Sequence, residues 1–236
     1  MGEYVKHLVI TGASSGIGLQ TAHVFINAGY AVTNLSRRHC PIAEVNHINC
    51  DLSIHGFMDN VSAQLLAIAK EAEELVLIHN ACRLQSDSAA ETPSNALREV
   101  FEINLVAANS LNYLILPNMK PGSSVIYVGS TLGEKAVANS YSYVVSKHAQ
   151  IGMMRATCQD LVGRNIHTAC ICPGFTDTEM LRQHIPAEFL PEIAKKSAFN
   201  RLVEPKEIAD TLLWAATSPV INGSVIHANL GQIESK

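Results

Sequence analysis

Short, unbroken apolar runs alternate along this chain with longer segments of helical period. The runs fall at 6–11, 31–35, 45–50, 75–79, 124–129, 166–172 and 224–228; the helical segments fall at 17–27, 56–72, 94–116, 142–162 and 205–218. Several runs are continuous in Val, Ile and Leu instead of alternating with polar residues. A strand buried on both faces has that pattern, which a parallel sheet covered by helices requires. The βα order therefore predicts a single α/β domain over 1–236, a doubly wound parallel sheet of about seven strands with helices on both faces. One connection is short. Residues 36–44 leave too little chain for a crossover helix, so that wall is expected to be vestigial.

The glycine pattern sharpens this. Lys6-His7-Leu8-Val9-Ile10 runs into Thr11-Gly12-Ala13-Ser14-Ser15-Gly16-Ile17-Gly18, and a helical pattern follows. Gly12 permits a tight turn off the strand, Gly16 lets backbone approach a pyrophosphate, and Gly18 lets the helix pack closely. The free N–H groups at the helix start then face phosphate oxygens. The second strand ends Thr33-Asn34-Leu35-Ser36-Arg37-Arg38, without the carboxylate that an NAD site uses on the ribose 2′-hydroxyl. A guanidinium suits a 2′-phosphate, so Arg37, with Arg38 or Ser15 assisting, implies NADP(H) in preference to NAD(H).

Composition closes off other classes. With 47% hydrophobic and 16% charged residues, the chain is not a disordered one. A net charge of -4 argues against nucleic acid as a partner. No apolar run approaches the ~20 residues that a bilayer needs. The opening Met1-Gly2-Glu3-Tyr4-Val5-Lys6 lacks a secretory pattern, and the expectation is a cytoplasmic protein. The six cysteines then read as reduced thiols, with Cys170 and Cys172 on one face of a strand. No His or Cys array has metal-ligand spacing, and no metal is expected.

With these motifs in place, the chain resembles the short-chain dehydrogenase/reductase superfamily in its compact single-domain branch, over nearly its whole length. Its broad likeness is to 3-oxoacyl-carrier-protein reductases. The resemblance implies a Rossmann fold and assigns roles residue by residue. Thr11–Gly18, Ser14, Ser15 and Ile17 included, is similar to the cofactor turn. Asp51, followed by Leu52, resembles an adenine-contacting aspartate. Asn80 and Ala81 stand in His79-Asn80-Ala81-Cys82 where the family has Asn-Asn-Ala-Gly. Asn104 resembles the asparagine that positions a relay water. Ser130, Tyr143 and Lys147 resemble the catalytic set, with Lys147 also holding the nicotinamide ribose. Pro173-Gly174-Phe175-Thr176-Asp177-Thr178 is similar to the segment that holds the nicotinamide. Cys82, His79 and a tail at 225–231 without Asp-Gly-Gly depart from the pattern.

Tyr-x-x-x-Lys alone is a weak signal; Ser130 thirteen residues upstream sharpens it. Gly12, Asp51, Asn80, Ser130 and Pro173-Gly174 all fall at or just past the C-terminal ends of the expected strands, the edge at which open parallel sheets bind ligands. Tyr143 and Lys147, four apart on a helix, share a face. A lysine cation one turn away and an oxidised nicotinamide would favour the phenolate and lower the Tyr143 pKa. Tyr143 is thus expected as general acid in reduction and general base in oxidation, with Ser130 donating to the substrate oxygen.

The segment 179–200 carries Met180, Leu181, Ile185, Phe189, Leu190, Ile193 and Phe199, and is read as a substrate lid for a moderately hydrophobic substrate; the alternative is a surface helical hairpin. The function expected is interconversion of a ketone or aldehyde and an alcohol by hydride transfer. The alternative is a cofactor-binding sensor on the same fold. The resemblance also implies a homo-oligomer, tetramer or dimer, packed through 94–116 and 142–162, where Ile151, Met153, Met154 and Leu161 suit either core or interface.

Overall fold

The structure is a computed structural model that describes residues 5–233. The first four residues, which entered the expectation about secretion, lie outside the described residues. Seven strands, β1 (Lys6–Thr11), β2 (Ala31–Ser36), β3 (Asn46–Asn49), β4 (Glu74–His79), β5 (Ser124–Val128), β6 (His167–Pro173) and β7 (Val225–Ala228), form one sheet in the order β3-β2-β1-β4-β5-β6-β7. Every neighbouring pair is parallel. Strand order reverses between β1 and β4, and the crevice above that switch point is where such sheets take ligands.

Both faces are covered, which explains the unbroken apolar runs. On one side α1 (Gly16–Asn27) and α8 (Pro205–Ala216) bury Ala22, Phe25, Ile208 and Leu212 against Leu8, Ile10, Ile78 and Ile126. On the other, α2 (Met58–Glu71), α4 (Ala107–Ile115) and α5 (Tyr141–Asp160) bury Leu65, Leu111, Ile115 and Met154 against Val9, Leu77 and Val125. The β2–β3 connection has no helix, as its length predicts. Cys40, Ile42 and Val45 from that loop are buried in the α1-side core, so the loop itself covers the sheet there.

The expected long helix at 94–116 is interrupted. It begins as α3 (Ser94–Phe101), widens into a π turn at Glu102–Val106, and resumes as α4. A π turn carries one extra residue per loop and rotates what lies within it, a device common at functional sites. Asn104 sits in that turn and is buried.

The segment after β6 is not one hairpin. It comprises α6 (Glu179–His184), a 3-10 turn at Ala187–Phe189 and α7 (Leu190–Ala194). Ile151, Met154 and Leu161 belong to the core, so they are not interface residues. All six cysteines are free, and the sulfurs of Cys170 and Cys172 lie 3.9 Å apart on the same face of β6.

Candidate active site

One cleft of about 1140 Å³ opens along the C-terminal edge of the sheet. It gathers Gly12, Ser14, Ser15, Gly16, Ile17 and Gly18 from the first turn with Arg37, Arg38, Asp51, Leu52, Asn80 and Ala81. Ser130, Tyr143, Lys147, Pro173, Gly174, Thr176 and Thr178 line the same cleft. Every site residue expected from the sequence is therefore here except Asn104, which lies beneath the cleft against a cavity of about 10 Å³.

The glycine turn is held from below. Gly12 has φ +75°, and a Cβ on Gly18 would sit 2.3 Å from the Gly12 carbonyl and 2.7 Å from Asn80 Nδ2. Asn80 Nδ2 donates to the carbonyls of Thr11 (2.9 Å) and Gly12 (3.1 Å), while Thr11 Oγ1 accepts from the N–H groups of Asn80 and Ala81. Asn80 thus serves as a staple between β4 and the turn. Asn34, buried in β2, accepts from the Ala13 N–H at 2.8 Å. Sequence reasoning missed Asn34; a polar side chain inside an otherwise apolar strand was the available signal. No side chain caps α1, whose first N–H groups are left to an anion. Uncapped helix start, glycines that admit no Cβ and cleft size together fit a dinucleotide.

At the far end of β2, Arg38 donates to Ser15 Oγ (3.0 Å) and forms an ion pair with Glu179 on α6 (3.0 Å). Asp51 makes a local turn in which its Oδ1 accepts from the Ser53 N–H and hydroxyl (2.9 and 2.6 Å). These bonds, helped by the Arg37 charge, hold its pKa below the usual value. Asp51 does not cap α2, which begins at Met58.

Ser130 opens a 3-10 turn, Thr131–Gly133, and its Oγ accepts from the Leu132 N–H at 3.1 Å. Its single proton is left to donate elsewhere. Tyr143 is half-buried in the cleft wall, with its phenol near the side chains of Ser130 and Cys82. Lys147, 1% exposed, donates to the Val128 carbonyl (2.7 Å) and to Gln150 Oε1 (3.0 Å), with its nitrogen 5.5 Å from the centre of the Tyr143 ring.

The expected lowering of the Tyr143 pKa is not what the protein's own groups produce. Burial raises it, the Cys82 and Cys172 sulfurs add to the rise, and the Ser130 hydroxyl opposes it. The physical reason is geometric. Lys147 points at a main-chain carbonyl and the ring face, not at the phenol oxygen. Cys82, where the family has glycine, is thus part of the phenol's surroundings.

Asn104 is a clamp. Its Oδ1 accepts from the Arg83 N–H (2.7 Å), and its Nδ2 donates to the Arg83 carbonyl (3.1 Å) and to Ser146 Oγ (2.9 Å). Ser146 in turn donates to the Tyr143 carbonyl at 2.8 Å, tying the π turn to the first turns of α5. His79 is core too: its Nε2 pairs with Asn112 Oδ1 (2.9 Å), whose amide donates to the Tyr127 hydroxyl (2.8 Å).

After β6, Thr176 donates to the Gly174 carbonyl (3.1 Å) and Thr178 caps α6 by accepting from the Leu181 N–H (3.2 Å). Of the apolar residues expected in the lid, Met180 and Leu181 face the cleft, beside Gln183, His184, Lys195 and Lys196; Phe189 and Phe199 are exposed. That wall is more polar than its sequence suggests, because only one side of the short helices meets the cleft.

The fold and this cleft define an oxidoreductase of the short-chain dehydrogenase family. A family model described as short chain dehydrogenase matches residues 6–188, and the chain belongs to that family. Among its relatives are an "Uncharacterized oxidoreductase YmfI" of Bacillus subtilis, 26% identical over 96% of this chain and 98% of the relative, and the 3-oxoacyl-[acyl-carrier-protein] reductase FabG of Thermotoga maritima, 26% identical over 97% and 98%. The ligand-free aldohexose dehydrogenase (AldT) of Thermoplasma acidophilum superposes with a TM-score of 0.88 at 25% identity, covering 96% of this chain and 93% of that one. The protein is accordingly a hydride-transfer enzyme of the CH–OH/carbonyl type that uses a nicotinamide cofactor.

Proposed function

We propose that the protein is an NADP(H)-dependent carbonyl reductase or alcohol dehydrogenase in which Tyr143 is the general acid and base. The observation that carries this reading is the meeting of Ser130, Tyr143 and Lys147 in the wall of one cleft with the glycine turn. The nicotinamide, when bound, supplies or accepts the hydride and in its oxidised form is positively charged. Gly12, Ser14, Ser15, Gly16, Ile17 and Gly18 would cradle the pyrophosphate, Arg37 and Arg38 would hold the 2′-phosphate, and Asp51 and Leu52 would flank the adenine. Asn80, Ala81, Pro173, Gly174, Thr176 and Thr178 bound the nicotinamide end, with Lys147 at its ribose.

In reduction the Tyr143 hydroxyl gives its proton to the substrate oxygen; in oxidation the same oxygen takes it back. A phenol whose pKa is raised is neutral at physiological pH, the state an acid needs. Ser130, anchored through its oxygen by Leu132, donates its proton in a hydrogen bond to the developing oxyanion. Asn104 and Ser146 fix the helical turn that presents Tyr143, and the small cavity beside Asn104 and Gln150 is on the order of a single water, the place for a relay to Lys147.

The substrate is a small or medium oxo compound or its alcohol, closed over by 179–200. The six free thiols suit a reducing, cytoplasmic setting. The chain acts as a homo-oligomer, supported by exposed Val106 just before α4, Tyr113 on α4 and Val145 on α5. The test is nicotinamide absorbance across a panel of carbonyls with the wild type and Tyr143→Phe. Turnover with NADPH in the former, and loss of at least about a hundredfold with cofactor binding kept in the latter, is expected. Wild-type kcat in the variant removes Tyr143 from the role.

A further inference from the structure

We propose that Glu179 is an internal stand-in for the 2′-phosphate of the cofactor, and that it thereby sets how strongly the protein prefers NADP(H) over NAD(H). The proposal rests on the NADP(H) reading above. Glu179 opens α6, 141 positions along the chain from Arg38, yet the two carboxylate oxygens face the two terminal guanidinium nitrogens at 3.0 and 3.4 Å. The same Arg38 nitrogen that meets Oε2 also meets Ser15 Oγ at 3.0 Å, which sets the Ser15 hydroxyl beside the carboxylate. An acidic group thus sits in a fork made by a guanidinium and a hydroxyl, the arrangement by which two phosphate oxygens would be held.

Charge in the cleft wall singles this carboxylate out. The only acids lining the cleft among the described residues are Asp51 and Glu179, against Arg37, Arg38, Arg83, Lys135, Lys147, Lys195 and Lys196. Asp51 is turned onto Ser53. Glu179 alone is paired with the cation that the phosphorylated cofactor needs. Phosphate binding must break the Arg38–Glu179 pair and then tolerate a negative charge beside it. A cofactor with a plain 2′-hydroxyl makes no claim on Arg38 and meets no such cost. Glu179 therefore weakens NADP(H) selectively, and because it opens the helix that borders the substrate end, its release frees α6 as the phosphate arrives.

The experiment is equilibrium titration by nicotinamide fluorescence with NADPH and NADH, repeated by calorimetry with 2′,5′-ADP and 5′-ADP, which lack the nicotinamide. Wild type, Glu179→Gln, Glu179→Asp and Arg38→Ala are compared. Glu179→Gln is expected to tighten NADPH and 2′,5′-ADP by about fivefold while leaving NADH and 5′-ADP unchanged, as removal of one competing surface charge allows. Glu179→Asp, which keeps the charge and the helix start, should retain the wild-type ratio. Equal shifts for both cofactors, or none, overturn the proposal even where NADPH is the preferred cofactor. A wild type that binds NADH more tightly, with NADPH affinity untouched by Arg38→Ala, overturns the NADP(H) reading and this inference with it.

Discussion

The side-chain amide of Asn80 reaches from the end of β4 to the main-chain carbonyls of Thr11 (2.9 Å) and Gly12 (3.1 Å), so two strands adjacent at the switch point are joined through the glycine turn. Removing that amide leaves two main-chain acceptors without their donor. Asn80→Ala is expected to lower stability by about 1–3 kcal/mol and to weaken cofactor binding, because the glycine turn loses its anchor. Urea denaturation with a cofactor titration checks both. Unchanged affinity would show that the turn keeps its shape unaided.

The surroundings of Tyr143 give a pH prediction. Cys82 is one of the groups that push the phenol up. Replacing it with the family's glycine removes that contribution, so the phenol of Cys82→Gly ionises at lower pH. The alkaline limb of kcat/KM for carbonyl reduction, where the acid is lost, should move to lower pH relative to wild type. A pH–rate profile at saturating NADPH reads this directly.

His79 predicts acid sensitivity of the whole fold. Burial lowers its pKa to about 4 from 6.5, against a smaller raising effect of Asn112. The unfolded chain therefore binds a proton below about pH 6.5 that the folded one refuses until about pH 4, and stability falls as pH falls through that window. Between pH 7 and 5 the loss from His79 is about 2 kcal/mol, with half-buried His7, lowered likewise to about 4, adding to it. His79→Asn should flatten the dependence of unfolding free energy on pH in that range. An unaltered slope would mean that the titrating groups lie elsewhere.

Two glycines should respond oppositely to alanine. At Gly18 the new Cβ meets the Gly12 carbonyl at 2.3 Å, and at Gly152, in α5, it meets nothing within 4 Å. Gly18→Ala is expected to destabilise by about 1–3 kcal/mol or more and to impair cofactor binding. Gly152→Ala should stabilise by up to about 1 kcal/mol through helix propensity. Thermal unfolding of the pair separates packing from propensity within one scaffold.

The strands were readable because burial on both faces writes itself as unbroken Val, Ile and Leu; β1, β2 and β4–β6 fall within a residue of where the runs lie. The glycine turn was readable because its constraint is local. What escaped is non-local. The π turn at Asn104 depends on how α3 and α4 meet Arg83 and Ser146, not on the residues within it. The rise in the Tyr143 pKa comes first from burial by distant elements and then from Cys82 and Cys172, about sixty and thirty residues away in the chain. The polarity of the cleft wall at 179–200 was not legible, since an apolar count says nothing about which side of a one- or two-turn helix meets the cleft.

Gly129, between the last residue of β5 and Ser130, lies over β6 so closely that a Cβ there would stand 2.6 Å from the Cys170 sulfur and 2.9 Å from that of Cys172. Three positions, two in β6 and one just past β5, consequently share a single filled volume. Neither strand can drift in residue size unless the other shrinks in step, and the serine that follows inherits its placement from that mutual fit. Substitutions at 129, 170 and 172 should thus be tolerated as matched sets and rejected one at a time.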